Sequence, residues 1–249
     1  MELGLSGRTA LVSAASRGIG FGIAGALAGE GANVAISSRS PDRIKAAAGR
    51  IGARGYVHDT SDIDDAPRLV EAVESDLGPI DILVTNTGGP PGGADPLGFG
   101  RDEWRAAYRD LVLEPMALIE RVAPGMRERR FGRIVSVSSI YAREPSSSLI
   151  LSSAHRSGLL ATFKALARVL AGDGVTLNTL LPGRIATERQ IGIYGSMEEA
   201  ERAAEAEVPA GRLGTIEEVG ALAAFLCSDA AAYLTGIAIP VDGGLSHAP

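Results

Sequence analysis

Residues 9–20 read Thr9-Ala10-Leu11-Val12-Ser13-Ala14-Ala15-Ser16-Arg17-Gly18-Ile19-Gly20, and this stretch decides the fold. It opens as a short apolar, β-prone run and passes through a turn of small residues. From Gly18 to Glu30 the chain then reads as a helix. Small residues at such a junction let backbone amides approach a pyrophosphate, which sits at the positive end of the following helix. A glycine turn alone is as often merely structural. Its place between a first strand and a first helix is what points to a dinucleotide.

Outward from this junction the pattern repeats. Apolar runs recur at Asn33–Ser37, Gly55–His58, Ile80–Thr85, Arg133–Ser138, Val175–Leu180 and Gly236–Val241. All but one of the seven are rich in Val, Ile and Leu without polar alternation, as parallel strands covered on both faces are. Helical stretches lie between them at Asp62–Leu77, Asp102–Arg129, Ser152–Ala171 and Thr215–Ser228. The alternation predicts right-handed crossovers and an α/β fold, a doubly wound parallel seven-stranded sheet in a single domain over residues 1–249. Two irregular stretches stand apart, the Gly/Pro-rich Gly88–Gly100 and the segment Pro182–Gly214. Loops of that length are usually functional, and ligands bind beyond the carboxyl ends of parallel strands. Residues 184–214 are therefore expected to form a lid, with the acidic run Glu198–Glu207 as its solvated face.

Composition narrows the function classes. Of 249 residues, 45% are apolar and 22% charged, with 32 glycines, which is globular rather than disordered. A net charge of −6 without a Lys/Arg cluster argues against nucleic acid or anionic lipid as partner. The single Cys227 excludes an intrachain disulfide and fits a reducing compartment. No membrane-length apolar run and no basic leader is present, so the cytoplasm is the default expectation. His58 and His247 read as surface residues and no set of metal ligands gathers around them, so no metal is expected.

The motifs together resemble the short-chain dehydrogenase/reductase family. Residues 13–20 are similar to its T-G-x-x-x-G-x-G turn, with Ser13 for threonine and Ala14 for the first glycine. Thr85-Asn86-Thr87-Gly88 resembles its N-N-A-G motif, Pro182-Gly183 its proline–glycine after the sixth strand, and Val241-Asp242-Gly243-Gly244 its C-terminal signature. The resemblance spans nearly the whole chain and implies a Rossmann fold. It also implies cofactor contacts at Ser13, Ser16, Arg17, Gly18, Ile19 and Gly20 in the turn and at Asp59 and Thr60 after the third strand. Asn86, Thr87 and Gly88, then Pro182, Gly183 and Ile185, complete the set. Ala14 adds a methyl group that is strained only if its φ is positive.

Cofactor choice is read at the end of the second strand. An acid there would hold ribose hydroxyls, whereas an arginine accommodates the 2′-phosphate of NADP. The chain has Ser37-Ser38-Arg39, with no acid and a planar guanidinium suited to a phosphate, and Arg17 offers a second charge. NADP is the expected cofactor, NAD the less favoured one.

The catalytic stretch departs from the family. Its members carry Y-x-x-x-K on the helix after a catalytic serine. In the register fixed by Gly158 and Pro182-Gly183, Ser139 matches that serine, Ser152 stands at the tyrosine, Arg156 at the lysine and Leu111 at a helix-four asparagine. Ser152 and Arg156, four apart, share one helix face. An aliphatic hydroxyl is a poor acid and arginine is permanently protonated, so Ser139, Ser152 and Arg156 are the expected catalytic set without a clear proton donor. His155 and Tyr141 are the alternative acids. Three readings follow. One is an NADP-dependent oxidoreductase acting on a carbonyl or alcohol. Another is a non-redox isomerase, dehydratase or cyclase reusing the pocket. The third is a non-catalytic nucleotide-binding protein. Family resemblance further implies a homodimer or homotetramer through residues 102–129 and 152–171, whose leucines and Phe163 exceed one sheet-facing stripe.

Overall fold

A computed structural model of the chain describes residues 2–248; the domain limits expected at Met1 and Pro249 lie outside the described residues. Seven parallel strands form one sheet in the order β3-β2-β1-β4-β5-β6-β7. They are β1 (Thr9–Val12), β2 (Asn33–Ser38), β3 (Arg54–Val57), β4 (Ile82–Thr85), β5 (Gly132–Val137), β6 (Val175–Pro182) and β7 (Ala238–Val241). The chain winds outward from β1 to β3, returns beside β1 as β4, and winds the other way to β7. That reversal between β1 and β4 is the switch point at which doubly wound folds open a crevice.

Each face of the sheet is covered, which is why the strands lack polar alternation. Val12, Ile36 and Val84 pack with Ile23 and Leu27 of α1 (Gly18–Gly29), Ile44 of α2 (Pro41–Ile51) and Val219 of α9 (Ile216–Cys227). On the opposite face Leu11, Leu83 and Ile134 pack with Leu69 and Val73 of α3 (Ala66–Leu77), Leu118 of α5 (Glu114–Glu128) and Phe163 of α6 (Ile150–Leu170). The exception is the edge strand β3, mostly exposed, whose sequence is correspondingly poor in apolar residues. At α1 and α9 the backbones touch. A Cβ on Gly22 would lie 2.4 Å from the carbonyl oxygen of Ile216, and one on Gly220 would lie 2.6 Å from that of Gly22.

Three departures from the sequence expectation have local causes. The helix expected over Asp102–Arg129 is broken into α4 (Arg101–Tyr108), a π-helical turn over Arg109–Leu113, and α5. Pro115 has no N–H to offer the carbonyl four residues back, so the ladder loosens there, and Glu114 N–H instead reaches Arg109 O. Helix α2, absent from the sequence expectation, carries its apolar positions Ile44, Ala47, Ala48 and Ile51 at helical spacing, only the two isoleucines being large. Its boundaries are nevertheless chemical, with Ser40 Oγ capping Arg43 N–H, Pro41 in the first turn and Gly52 left-handed at the end. Residues 182–214 are not irregular throughout but hold α7 (Glu188–Tyr194) and α8 (Met197–Glu207). Ala200 and Ala204 of α8 are buried against Val208 and Leu213, leaving its glutamates outward. The segment is pinched at its base, where Ala186 N–H donates to Gly214 O at 2.8 Å and Gly214 N–H to Arg184 O at 2.9 Å.

The apolar surplus read as an assembly surface belongs largely to the chain's own core. Leu111, Leu118, Leu159, Phe163 and Leu170 are all buried within one copy. Among the described residues no helix is long and apolar enough to cross a membrane. No group of three or more His, Cys, Asp or Glu among them is arranged to hold a metal.

Candidate active site

A cleft of about 790 Å³ opens at the carboxyl ends of β1, β2 and β4, at the switch point. The small-residue turn forms its floor. Gly18 sits at φ 60° and Arg17, the residue preceding α1, supplies no side-chain cap, so the first amides of α1 stay available to a ligand. Gly20 leaves room for Asn86, whose Nδ2 a Cβ would meet at 2.7 Å. That amide donates to Ala14 O at 3.0 Å. Ser13 Oγ donates to Asn86 O at 2.8 Å and accepts from Asn86 N–H at 2.9 Å. Ser13 and Gly20 thus brace β1 against β4 rather than face the cleft. A pyrophosphate fits this turn because its amides are uncapped and no acid stands in the first turn of α1.

Ala14 adopts φ 47°, the left-handed region that an alanine enters only with strain. Ala14→Gly relieves that strain while loosening the unfolded chain. The expected net gain is up to about 1 kcal/mol, read as a higher midpoint in urea with an unchanged slope. A lower midpoint would show that the methyl group is packed to advantage.

At the β2 end, Arg39 and Arg43 are exposed and line the cleft with Ser38 and Ser40. Ser38 rather than an acid ends β2. Arg43, one turn into α2, is a residue the sequence reading missed, and the Ser40 cap was the signal that would have placed it there. Arg17 is not free as expected, since its guanidinium pairs with Glu188 of α7. Asp59 and Thr60 lie at the end of β3 on the cleft wall, where the Ser61 backbone amide holds the Asp59 carboxyl below its usual range and Arg39 adds to the effect. Beside them His58, expected at the surface, is buried. Its ring meets Asp65 Oδ2 at 2.9 Å through Nδ1 and Glu114 Oε1 at 3.2 Å through Nε2. Burial alone pulls this imidazole down, but the hydrogen bonds and charges of Glu114 and Asp65 outweigh it and its pKa is raised. Burial likewise pushes Glu114 up, and its Oε2 is buried without a partner. His247, by contrast, is exposed as expected.

Ser139 caps the short turn after β5, its Oγ accepting from Tyr141 N–H at 3.3 Å. Ser152 and Arg156 lie one turn apart on α6, both buried. Arg156 Nε donates to Ser152 Oγ at 3.1 Å and its Nη1 to Val137 O at 3.0 Å. Burial lowers the guanidinium to about 10, with Arg189 adding to it, so it stays protonated at neutral pH. None of Ser139, Ser152 and Arg156 lines the open cleft, and neither do Pro182, Gly183 and Ile185. The loop 88–100 and α7 both reach the cleft, the loop through Gly88 and Gly89 and the helix through Glu188 and Arg189. The two are joined where Arg189 donates to Gly89 O at 3.3 Å and Pro90 O at 3.1 Å. Thr87 and Gly88 do reach the cleft wall, with Ser16 and Ile19. Of the alternative acids, His155 turns toward α4, with ring centroids 5.5 Å from Trp104 and 5.9 Å from Tyr108, and its Nδ1 lies 2.8 Å from Leu151 O. Tyr141 packs against Ile140, Ala142 and Leu181. Under the lid Arg184 pairs with Glu207 and lies 5.3 Å from the Tyr194 ring, leaving its Nη1 buried and unpartnered.

A parallel seven-stranded sheet with a dinucleotide-type turn at its switch point defines a nucleotide-binding α/β protein. The family model described as Enoyl-(Acyl carrier protein) reductase matches residues 13–246, and the chain belongs to the short-chain dehydrogenase/reductase family of oxidoreductases. Two relatives match over almost their full lengths. The chain is 32% identical over 246 residues to 3-oxoacyl-(acyl-carrier-protein) reductase FabG of Escherichia coli (strain K12), covering 98% of this chain and 99% of the relative. It is 36% identical over 241 residues to the acetoacetyl-CoA reductase of Shinella zoogloeoides, covering 95% and 98%. Among solved structures, L-sorbose reductase from Gluconobacter frateurii complexed with NADPH and L-sorbose superposes with a TM-score of 0.93 at 29% identity, covering 100% of both chains. A 3-oxoacyl (acyl-carrier-protein) reductase from Agrobacterium tumefaciens C58 with NADP bound gives 0.90 at 32% identity, covering 97% of this chain and 95% of that one.

Proposed function

We propose that this chain is an atypical NADP(H)-dependent reductase that converts a carbonyl of a small or acyl-type substrate to an alcohol, or runs the reverse oxidation. The observation that carries the reading is the cleft itself, with uncapped amides at one end and Arg39 with Arg43 at the other, where Ser38 rather than an acid ends β2. The former suits a pyrophosphate and the latter a ribose 2′-phosphate. The cofactor supplies a hydride when bound. The chain's own residues bind and orient it. Asp59 and Thr60 edge the adenine end, Thr87 and Gly88 the ribose, and residues 183–185 the nicotinamide. Segment 184–214 closes over them as a lid, shutting out water. Ser139 polarises the carbonyl oxygen. Ser152 and Arg156 take the places of the family tyrosine and lysine, and Arg156 anchors the nicotinamide ribose through its remaining Nη2. Neither side chain is an efficient acid, so the proton comes from elsewhere at a cost in rate of about 10²- to 10⁴-fold. His155 and Tyr141 are poorly placed to replace it, being engaged with α4 and with the loop after β5.

The test is cofactor preference. At equal concentration NADPH raises the melting temperature more than NADH, because a ligand that binds only the folded state stabilises in proportion to its affinity. Arg39→Asp inverts the order, since a carboxylate repels the phosphate and accepts from ribose hydroxyls. Loss of a charge-assisted hydrogen bond of about 1.5–3 kcal/mol predicts roughly 10- to 100-fold weaker NADPH binding by calorimetry. Equal stabilisation of the unaltered protein by both nucleotides removes the NADP assignment.

A further inference from the structure

His58 faces a carboxylate with each of its ring nitrogens, Nδ1 lying 2.9 Å from Asp65 Oδ2 and Nε2 3.2 Å from Glu114 Oε1. A neutral imidazole has one N–H and one lone pair, and an ionised carboxylate only accepts. With the ring neutral and both acids charged, one of the two contacts would set lone pair against lone pair. The cluster therefore holds one proton more than its groups would carry apart at neutral pH. Asp65 does not hold it, because the Arg68 guanidinium forks onto both of its oxygens, Nη2 donating to Oδ2 at 2.8 Å. The extra proton lies between Nε2 and Glu114, whose second oxygen is buried with no partner among the described residues. Both groups bind it more firmly than they would in water. Burial raises Glu114, and at His58 the opposite pull of burial is outweighed by the hydrogen bonds to Glu114 and Asp65.

This proton joins two walls of the cleft. His58 directly follows β3, its backbone N–H donates to Ser38 O at 3.1 Å at the end of β2, and Asp59 and Thr60 come next on the cleft wall. Glu114 begins α5, and the π-helical turn before it brings Arg109 and Asp110 to the same cleft. Once the proton is lost, Nε2 turns a lone pair on a buried carboxylate. Both side chains are wholly buried, so neither reaches water unless the elements that carry them part. The other charges around the pair are Asp59, which Arg39 partly offsets, Arg68 on Asp65, and Asp110, itself paired with Arg109. Asp59 and Asp110 favour keeping the proton.

We infer that His58 is a positioning residue for the adenosine half of the dinucleotide: the proton it shares with Glu114 fixes the spacing of the two walls, and nucleotide binding is coupled to holding that proton. The inference rests on the nucleotide reading of the cleft. Solvent supplies the proton and takes it back. Coupling runs both ways, so protonation that tightens binding by some factor is itself favoured by the bound nucleotide by the same factor. The nucleotide's phosphates act in that direction too, since they bring negative charge to the cleft. Affinity is accordingly complete below the titration of the pair and is lost as pH rises through it.

Calorimetry of NADPH binding from pH 7 to 9.5 stays above the titration of the 2′-phosphate itself, near ~6. The Kd is expected to rise about tenfold across this range. Titrations in two buffers of different ionisation enthalpy are expected to show proton uptake on binding. Glu114→Gln offers Nε2 a side-chain amide N–H and so completes the contact without the extra proton. That variant is expected to bind NADPH at pH 9.5 within about twofold of the parent at pH 7, with no proton uptake. Should it not fold, the parent alone decides. The chain has only 3 histidines, and the His58 ring resonance is expected to titrate about one pH unit higher with NADPH bound. A flat Kd without proton uptake, an unmoved His58 titration, or the same pH slope in Glu114→Gln overturns the inference and leaves the nucleotide reading standing. Failure of NADPH and NADH to bind at any pH sinks the nucleotide reading and the inference with it.

Discussion

Replacing His58 with alanine is expected to lower the unfolding free energy by about 3–5 kcal/mol near pH 6, the usual consequence of removing one partner from a buried charged pair. The imidazole is enclosed between Asp65 and Glu114, and Glu114 is fully buried with one oxygen already unpartnered. Without His58 its other oxygen loses its partner too. The sign with pH follows from the direction of the shift. His58 has a folded pKa above its usual 6.5, so its contribution is complete below that value and is lost as pH rises through the folded pKa. Glu114, also raised, acts in the same sense, because folding favours its protonated form. Asp65, held at about 2 chiefly by Arg68, works oppositely and loses its contribution only in strong acid. Denaturant titrations from pH 5 to 9 should show the parent losing stability on the alkaline side and His58→Ala following a flatter line. Parallel profiles would place the network outside the stability of the fold.

The second large effect separates Ser139, Ser152 and Arg156. Arg156→Ala is expected to weaken NADPH binding by about 1.5–3 kcal/mol if Nη2 holds the ribose. Ser139→Ala is expected to lower the single-turnover rate by about 10²-fold or more, the usual cost of losing one donor to a developing oxyanion. Ser152→Ala should leave most of that rate, because its hydroxyl already accepts from Arg156 and is a poor acid. Arg156→Lys tests the anchor separately, keeping the charge while losing the fork. Unchanged NADPH affinity in Arg156→Ala removes the ribose role. A collapse of rate in Ser152→Ala puts that hydroxyl on the proton path.

The sheet was legible because both its faces are buried, so every strand but the exposed edge strand β3 lies in an apolar run bounded by turns. The nucleotide turn was legible because phosphate approach demands small residues there. Less visible was anything set by one missing hydrogen. Pro115 breaks the long helix by what it cannot donate, and the periodicity of residues 102–129 carries no trace of it. His58 read as a strand-end surface residue because its partners, Asp65 and Glu114, are 7 and 56 positions away. Arg17 drew its expected phosphate role from its place in the turn. Its pairing with Glu188 depends on how the segment after β6 folds back, which no local pattern encodes. Ala14 was the opposite case, where the sequence stated the condition for strain and the backbone met it.

The pinch between Ala186, Gly214 and Arg184 at the base of α7 and α8 bears on how such a chain diversifies. Both ends of the intervening stretch are fastened to one another, and the returning end leads into α9, whose glycine contact with α1 permits no drift. What lies between is a cassette. Its length enters the folding free energy only logarithmically, about 0.6 kcal/mol per doubling, so insertions or deletions beyond Glu188 and Arg189, which tie α7 to the nucleotide turn and to the loop 88–100, leave the sheet undisturbed. New substrate preferences can therefore be grafted onto an unchanged scaffold by rewriting residues 190–207 alone.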